Sequence, residues 1–198
     1  MSANITDPVL WAATLIQSRR TTLPKRLCGP GPDTSQRAII LEAAAAAPDH
    51  DQLLPWRFIE VPELSRVALG QAFESALIER DPEADNQARA QARDKAQRSP
   101  WLLLAVVRTG GGPQDILASE RVLSVGAAIQ NMLLMATALD LGSALTSGKA
   151  LQSHALRTLF DLSNEEQALC FINIGHIGEP RKQRERPTVD RYFSVLGR

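Results

Sequence analysis

The chain has no surplus of charge of either sign: 22 Lys and Arg balance 22 Asp and Glu in 198 residues. Binding nucleic acid needs a basic excess to neutralise phosphates, so no nucleic-acid partner is expected. Cysteines number two, Cys28 and Cys170. They are far apart, in no CxxC spacing, and Cys170 lies in an apolar run where a thiol acts as a small hydrophobe. A reduced, cytoplasmic setting is the expectation. The longest apolar runs, 102–107 and 133–139, fall short of the ~20 residues that cross hydrocarbon. The first residues lack the basic start and apolar stretch of a signal peptide. No membrane association is expected.

Several chemical signatures are absent as well. There is no GxxxxGK[ST] phosphate loop and no GxGxxG between a strand and a helix; Gly110-Gly111-Gly112-Pro113 reads as a plain turn. There is no GxSxG nucleophile elbow. His50, His154 and His176 are scattered without HExxH or CxxC support, so no metal site is expected. An enzyme without these devices would leave its chemistry to a bound cofactor, and no catalytic side chain is nominated.

What is present is an ordinary globular composition, 44% hydrophobic and 22% charged. At this length one domain can bury a core without disulfide or metal staples. Thr6 or Asp7 can cap a helix over 8–17, with Pro8 at its first position. A loop rich in proline and glycine precedes a second helix that starts near Asp33, Thr34 or Ser35, carries Ala43 to Ala47 and ends at Pro48. Strands are expected over 56–61, 102–107 and 168–174, the last two apolar enough to be covered on both faces. A helix over 64–77 separates the first two.

The segment 79–98 is strongly polar and its apolar positions are almost all alanine, so it reads as a solvated excursion or flap. The longest helix is expected over 119–140, where Val122, Val125, Ile129, Met132, Leu133, Ala136 and Leu139 recur every three to four residues. Its small residues Gly126, Ala127 and Ala128 would let a second helix approach closely, and the pattern fits an intrachain partner and a homodimer partner equally. Gly142 reads as its stop, with 145–148 a short connection, and a further helix closes over 158–161. The tail 179–198 is polar with two aromatic anchors, Tyr192 and Phe193, and reads as a docking extension.

Polar clusters stand at the ends of these elements. Arg19-Arg20-Thr21 offers two guanidinium forks and a hydroxyl, a chemistry suited to a phosphate monoester. The same arginines also read as a solvated helix end that complements the dipole. Ala47-Pro48-Asp49-His50 followed by Leu54-Pro55-Trp56-Arg57-Phe58 is more distinctive.

Taken in order, the helix ending in Ser-Arg-Arg-Thr, the alanine-rich helix ending in Ala-Pro-Asp-His, the Pro-Trp-Arg-Phe strand, the long helix and the Leu-Gly-Ser-Ala loop resemble the nitroreductase family. More closely, Ala47-Pro48-Asp49-His50 and Leu54-Pro55-Trp56 in this order resemble the small bacterial YdjA-like branch of that family. That resemblance implies an α+β fold with a central, mostly antiparallel sheet flanked by helices and a long central helix at a dimer interface. It also implies a homodimer with FMN at the subunit interface, reduced by NADPH or NADH.

Residue by residue, Arg19, Arg20 and Thr21 match the family's amino-terminal FMN-binding triplet, and His50 matches the histidine of the Pro-Asp-His turn. Leu145, Thr146 and Ser147 align with the loop that contacts the flavin, where relatives carry Trp-Arg-Ser. Arg186 resembles a carboxy-terminal basic residue that reaches the phosphate, with Arg184 two positions away. Ala46 stands where relatives place an FMN-contacting arginine, and Leu54 stands where Gln or Asn is frequent.

The implied activity is an NAD(P)H oxidoreductase that reduces nitroaromatic, quinone or similar small-molecule acceptors by ping-pong hydride transfer. The alternative is a flavin-binding or cofactor-free dimer on the same fold, acting as a sensor or interaction protein; its support is the set of changes at Ala46, Leu145 and Thr146.

Overall fold

The computed structural model describes residues 7–111, 116–179 and 185–197. At its centre is β3 (Trp101–Arg108), the run expected to be covered on both faces, and Trp101 to Val107 are all buried. β3 pairs antiparallel with β2 (Trp56–Glu60) along one edge and with β5 (Glu166–Ile177) along the other. β5 in turn pairs antiparallel with β4 (Gly142–Thr146) and, at its end, with the two-residue β1 (Leu27–Cys28). The one isolated bridge among the described residues, Thr21 with Ser143, is parallel. The architecture is the expected α+β arrangement. The glycine turn at Gly112 and Pro113, the cap option at Thr6 and tail residues 180–184, Arg184 among them, lie outside the described residues.

Side chains alternate across a strand, and β3 sorts its own into two cores. Trp101, Leu103, Ala105 and Val107 join the core under α2 (Thr34–Ala44) and α5 (Ala118–Ala138). Leu102, Leu104 and Val106 join the core under α3 (Arg66–Arg80) and α6 (His154–Leu159). The register shifts between Ala105 and Val106, which face Cys170 and Ala168. The extra residue, Leu169, resets the alternation of β5, so Ala168 serves one core and Cys170 the other. Burial pushes the Cys170 thiol up to about 11, in keeping with an inert core residue.

The helix starts follow local chemistry. α1 (Pro8–Ser18) opens on proline, and the Asp7 carboxylate accepts from the Val9 amide at 2.8 Å. α2 has a capping box: Asp33 accepts from the Gln36 amide at 2.9 Å, and the Gln36 side chain accepts from the Asp33 amide at 3.0 Å. These bonds hold the Asp33 carboxyl below its ordinary range. α5 has the length and hydropathy of a membrane span, about 31 Å at 1.5 Å per residue. Here Val125, Ile129, Met132 and Ala136 are buried against the sheet and α2.

The end of α5 departs from expectation. The helix stops at Ala138, and Asp140 turns the chain with a φ of 56°. Gly142 then opens β4 instead of stopping the helix, and Leu145 and Thr146 belong to that strand. A Cβ on Gly142 would stand 2.8 Å from Leu27 Cδ2 and 3.0 Å from Ile177 Cγ1, so the glycine answers to close packing against β1 and β5.

Within the polar segment, α4 (Asn86–Asp94) lies against α3, with Ala84, Ala92 and Ala96 buried. Asp85 caps it by accepting from the Ala88 amide at 2.7 Å. Glu74 and Arg93 pair across the two helices at 2.5 Å. The buried Arg66 donates to the Val61 carbonyl at 2.9 Å and to the Ala96 carbonyl at 2.7 Å, tying the end of the segment to the body.

Candidate functional site

α1 ends at Arg19, whose amide donates to the Leu15 carbonyl at 3.3 Å. The Arg19 carbonyl is itself an acceptor for two guanidinium groups, Arg20 Nη1 at 3.0 Å and Arg186 Nη2 at 2.8 Å. Arg20 also donates to the Gln17 carbonyl. The amino-terminal triplet and the carboxy-terminal arginine therefore meet, although 167 positions separate Arg19 from Arg186. Neither Arg20 nor Arg186 pairs with a carboxylate among the described residues. Two guanidinium groups, Arg20 and Arg186, that meet here with no carboxylate partner among the described residues form a ready anion site.

The next residue, Thr21, bridges Ser143 at the start of β4, and the Thr22 amide donates to the Ser143 carbonyl at 2.8 Å. Here Arg19, Thr21, Gln130, Ser143 and Leu145 line a cleft of about 250 Å³. The Ser143 and Thr22 hydroxyl oxygens are buried with no hydrogen-bond partner. An unsatisfied buried hydroxyl is costly, so polar groups left open beside a cleft mark a place where a ligand can supply the missing partners.

Along β4, side chains alternate, so Leu145 faces this cleft while Thr146, with Ser147 and Gly148, borders a second one of about 280 Å³. Its floor is apolar, with Leu102 and Phe171; Phe73 packs edge-on against Phe171 at 5.6 Å between ring centroids. Its rim carries Lys95 and Arg98, neither of which has an ion-pair or hydrogen-bond partner among the described residues. Asn173 is buried below and donates through Nδ2 to Thr146 Oγ1 at 3.0 Å and to the Ala144 carbonyl at 3.3 Å. With its oxygen accepting from Asn173, the Thr146 hydroxyl keeps its own hydrogen to donate. The segments 21–24 and 145–147 run from one cleft to the other: Thr21 and Leu145 line the first, and Pro24, Thr146 and Ser147 line the second.

His50 stands elsewhere. Its Nδ1 lies 3.0 Å from Glu120 Oε2 at the start of α5, with both side chains largely open to solvent. Glu120 also accepts from the Leu117 amide at 3.4 Å. The His50 contact first, and then the amide, hold the Glu120 carboxyl below its ordinary value. Glu120 and the cleft residue Leu133 lie on one helix, about 20 Å apart along its axis at 1.5 Å per residue. Within the chain, then, Arg19, Arg20, Thr21, Leu145, Thr146, Ser147 and Arg186 come together and His50 does not.

The turn around His50 is strained: Asp51, Gln52 and Leu54 hold φ values of 55°, 54° and 47° without being glycine. Asp49 steadies it by accepting from the Leu54 amide at 2.7 Å through one carboxylate oxygen, while the other is buried without a partner.

Sequence reasoning missed Lys95, Arg98, Asn173 and Ser143. Lys95 and Arg98 lie in a charge run that reads as a wet face, and no spacing rule distinguishes them from their neighbours. Asn173 had a detectable signal, an amide inside an otherwise apolar strand, where a buried side chain must find partners.

Against known proteins, the model of the nitroreductase family matches residues 16–176. A candidate NAD(P)H nitroreductase of Haemophilus influenzae is 29% identical over 179 residues, covering 90% of this chain and 95% of the relative. The candidate NAD(P)H nitroreductase YdjA of Escherichia coli K12 is 28% identical over 164 residues, covering 83% and 87%. In fold, the chain is similar to the FMN and NADPH-dependent nitroreductase NfnB of Sphigopyxis sp. strain HMH. The TM-score is 0.72 at 17% identity, covering 94% of this chain and 99% of that one. With a family model that spans both clefts and every strand but the last residue of β5, the chain belongs to the nitroreductase family and is an oxidoreductase of that family.

Proposed function

We propose that the protein is an FMN-dependent NAD(P)H oxidoreductase that works as a homodimer and reduces nitroaromatic, quinone or similar small acceptors by ping-pong exchange. The observation that carries this reading is the convergence of Arg20 and Arg186 on the Arg19 carbonyl, beside Thr21 and a cleft lined by the unsatisfied Ser143 hydroxyl. These residues fit FMN. Arg19, Arg20, Arg186 and Thr21 would hold its phosphate, and Ser143 would gain the partner it lacks. The second cleft would take the ring on its apolar floor, with Thr146, Ser147 and Lys95 at its edge.

When bound, FMN supplies hydride acceptance from the nicotinamide and electron delivery to the acceptor. The chain's part is electrostatic and positional. The Lys95 ammonium, paired with no carboxylate among the described residues, favours negative charge at the cleft edge, the Thr146 hydroxyl donates from a position fixed by Asn173, and the Phe171 floor excludes water from below. Segment 79–98 contributes Lys95 and Arg98 to this rim, in keeping with a flap over the site within a single domain.

A second subunit is the simplest partner for the apolar surface left open. Val9, Leu10, Trp11 and Ile16 of α1, Leu123 of α5, and Tyr192 and Phe193 of the tail are all more than half exposed. A two-fold pairing along α5 would also bring one subunit's His50 toward the other's clefts, across the separation that one chain cannot close. The 179–198 tail, tied at Arg186, then docks at the same interface.

The visible absorption of the purified protein, before and after anaerobic NADPH or NADH, tests the proposal. A flavin spectrum that bleaches is expected. Replacing both Arg19 and Arg20 by Ala should cut flavin content at least about tenfold, the loss of one charge-assisted phosphate contact or more, with the melting temperature nearly unchanged. A protein that stays colourless in excess FMN overturns the reading.

A further inference from the structure

A third cleft, of about 400 Å³, opens between the 29–31 loop, Arg66 and the segment 97–100. We propose that it docks the phosphate groups of the nicotinamide nucleotide; this rests on the oxidoreductase reading above and adds to it the site that recognises the electron donor.

The argument begins with Arg66. It is 4% exposed, yet it lines the cleft. Its Nε and Nη1 are taken by the Val61 and Ala96 carbonyls, and its Nη2 has no partner among the described residues. Burial pulls this guanidinium below its ordinary value, opposed by the charges of Glu60 and Glu63, and a guanidinium so placed is still a cation. A desolvated cation with an open donor gains more from an anion than a wet one does.

Arg98 supplies the second charge. It is exposed and unpaired among the described residues, and it lines both this cleft and the one that holds Lys95 and Thr146. A molecule whose reactive ring sits beside Lys95 and whose phosphates sit beside Arg66 would pass over Arg98 on the way. The hydride donor has that form, a nicotinamide joined through a diphosphate to adenosine. The carboxylate on the rim, Glu63, makes no ion pair among the described residues and is the single acidic side chain among the described residues that line the cleft. Ser99 adds no donor, because its hydroxyl already donates to the Trp101 carbonyl at 2.7 Å. Two guanidinium forks against one carboxylate favour an oxyanion with several acceptor oxygens, which describes a phosphate better than a neutral acceptor.

The test is titration calorimetry on the flavin-loaded protein with adenosine 2′,5′-bisphosphate, ADP and inorganic phosphate as probes. Both nucleotides should bind and compete with NADPH. Arg98→Ala should weaken them about tenfold, the scale of one charge-assisted contact, and Arg98→Lys should weaken them less, because a point charge replaces a fork. Glu63→Gln, which removes the opposing charge and leaves both guanidinium groups in place, should tighten them about two- to threefold. Tighter binding of the 2′,5′-bisphosphate would put the 2′-phosphate in the cleft, and tighter binding of ADP would put the diphosphate there; either supports the assignment. Equal affinity for inorganic phosphate, or nucleotide affinities that none of the three variants moves, would overturn it. Flavin content, read from the spectrum before any nucleotide is added, reports separately on the FMN reading.

Discussion

β3 and α1 are both apolar in sequence, and they end in opposite circumstances. From Trp101 to Val107, β3 has no exposed residue. α1 has no buried one, and Trp11 at its centre is 54% exposed. Apolar character alone does not say where a segment lies; what matters is whether the chain has other elements to cover it. β3 has strands on both edges and helices over both faces, whereas α1 packs chiefly on α5 among the described elements. The chain covers β3 by itself and leaves α1 uncovered.

The sharpest test of the β3 half is Leu104→Ala. Leu104 is fully buried in the core under α3 and α6, so truncation should cost about 3 kcal/mol, transfer and cavity terms together. Urea denaturation should show the same loss at every protein concentration. A cost that grew on dilution would mean that β3 too depends on a partner.

Trp11→Glu tests the other half. With no buried residue in α1, the fold should survive, while the proposed dimer should weaken about 100-fold as a charge enters the apolar contact proposed for it. Sedimentation across a dilution series reads this directly. An unchanged mass distribution would remove α1 from the interface and collapse the contrast between the two segments.

The same contrast explains what could be read from the sequence. β3 and α5 were legible because burial writes itself as an unbroken apolar run or a three-to-four repeat. β4 was not: Gly-Ser-Ala-Leu-Thr is short and made of small residues, and Gly142 owes its place to Leu27 and Ile177, which no local pattern reveals. Arg19, Arg20 and Thr21 were legible as a polar cluster at a helix end, while their meeting with Arg186 depends on the course of the tail. Lys95 and Arg98 were hidden among like neighbours, because only the packing of α4 on α3 decides which charges of that run reach a cleft. His50 was legible as a residue but not in its separation from the arginines, a distance set by the length of α5.

That separation gives the smallest predicted effect. At the cleft end of α5, Arg20 and Arg186 meet with no carboxylate partner among the described residues; at the other end Glu120 meets His50 and the Leu117 amide. The folded state holds the Glu120 carboxyl below its ordinary value of 4.5. A depressed carboxyl contributes stability that is present above the unfolded value and is lost as pH falls through the folded one. Glu120→Gln should therefore leave the protein slightly less stable near neutrality and flatten the fall in stability on acidification. Urea midpoints measured from about pH 6 to about pH 3 would show the two curves converging at the acid end. Parallel curves would mean that the His50 contact contributes nothing in solution, and that this turn is held by the Asp49 bond to the Leu54 amide instead.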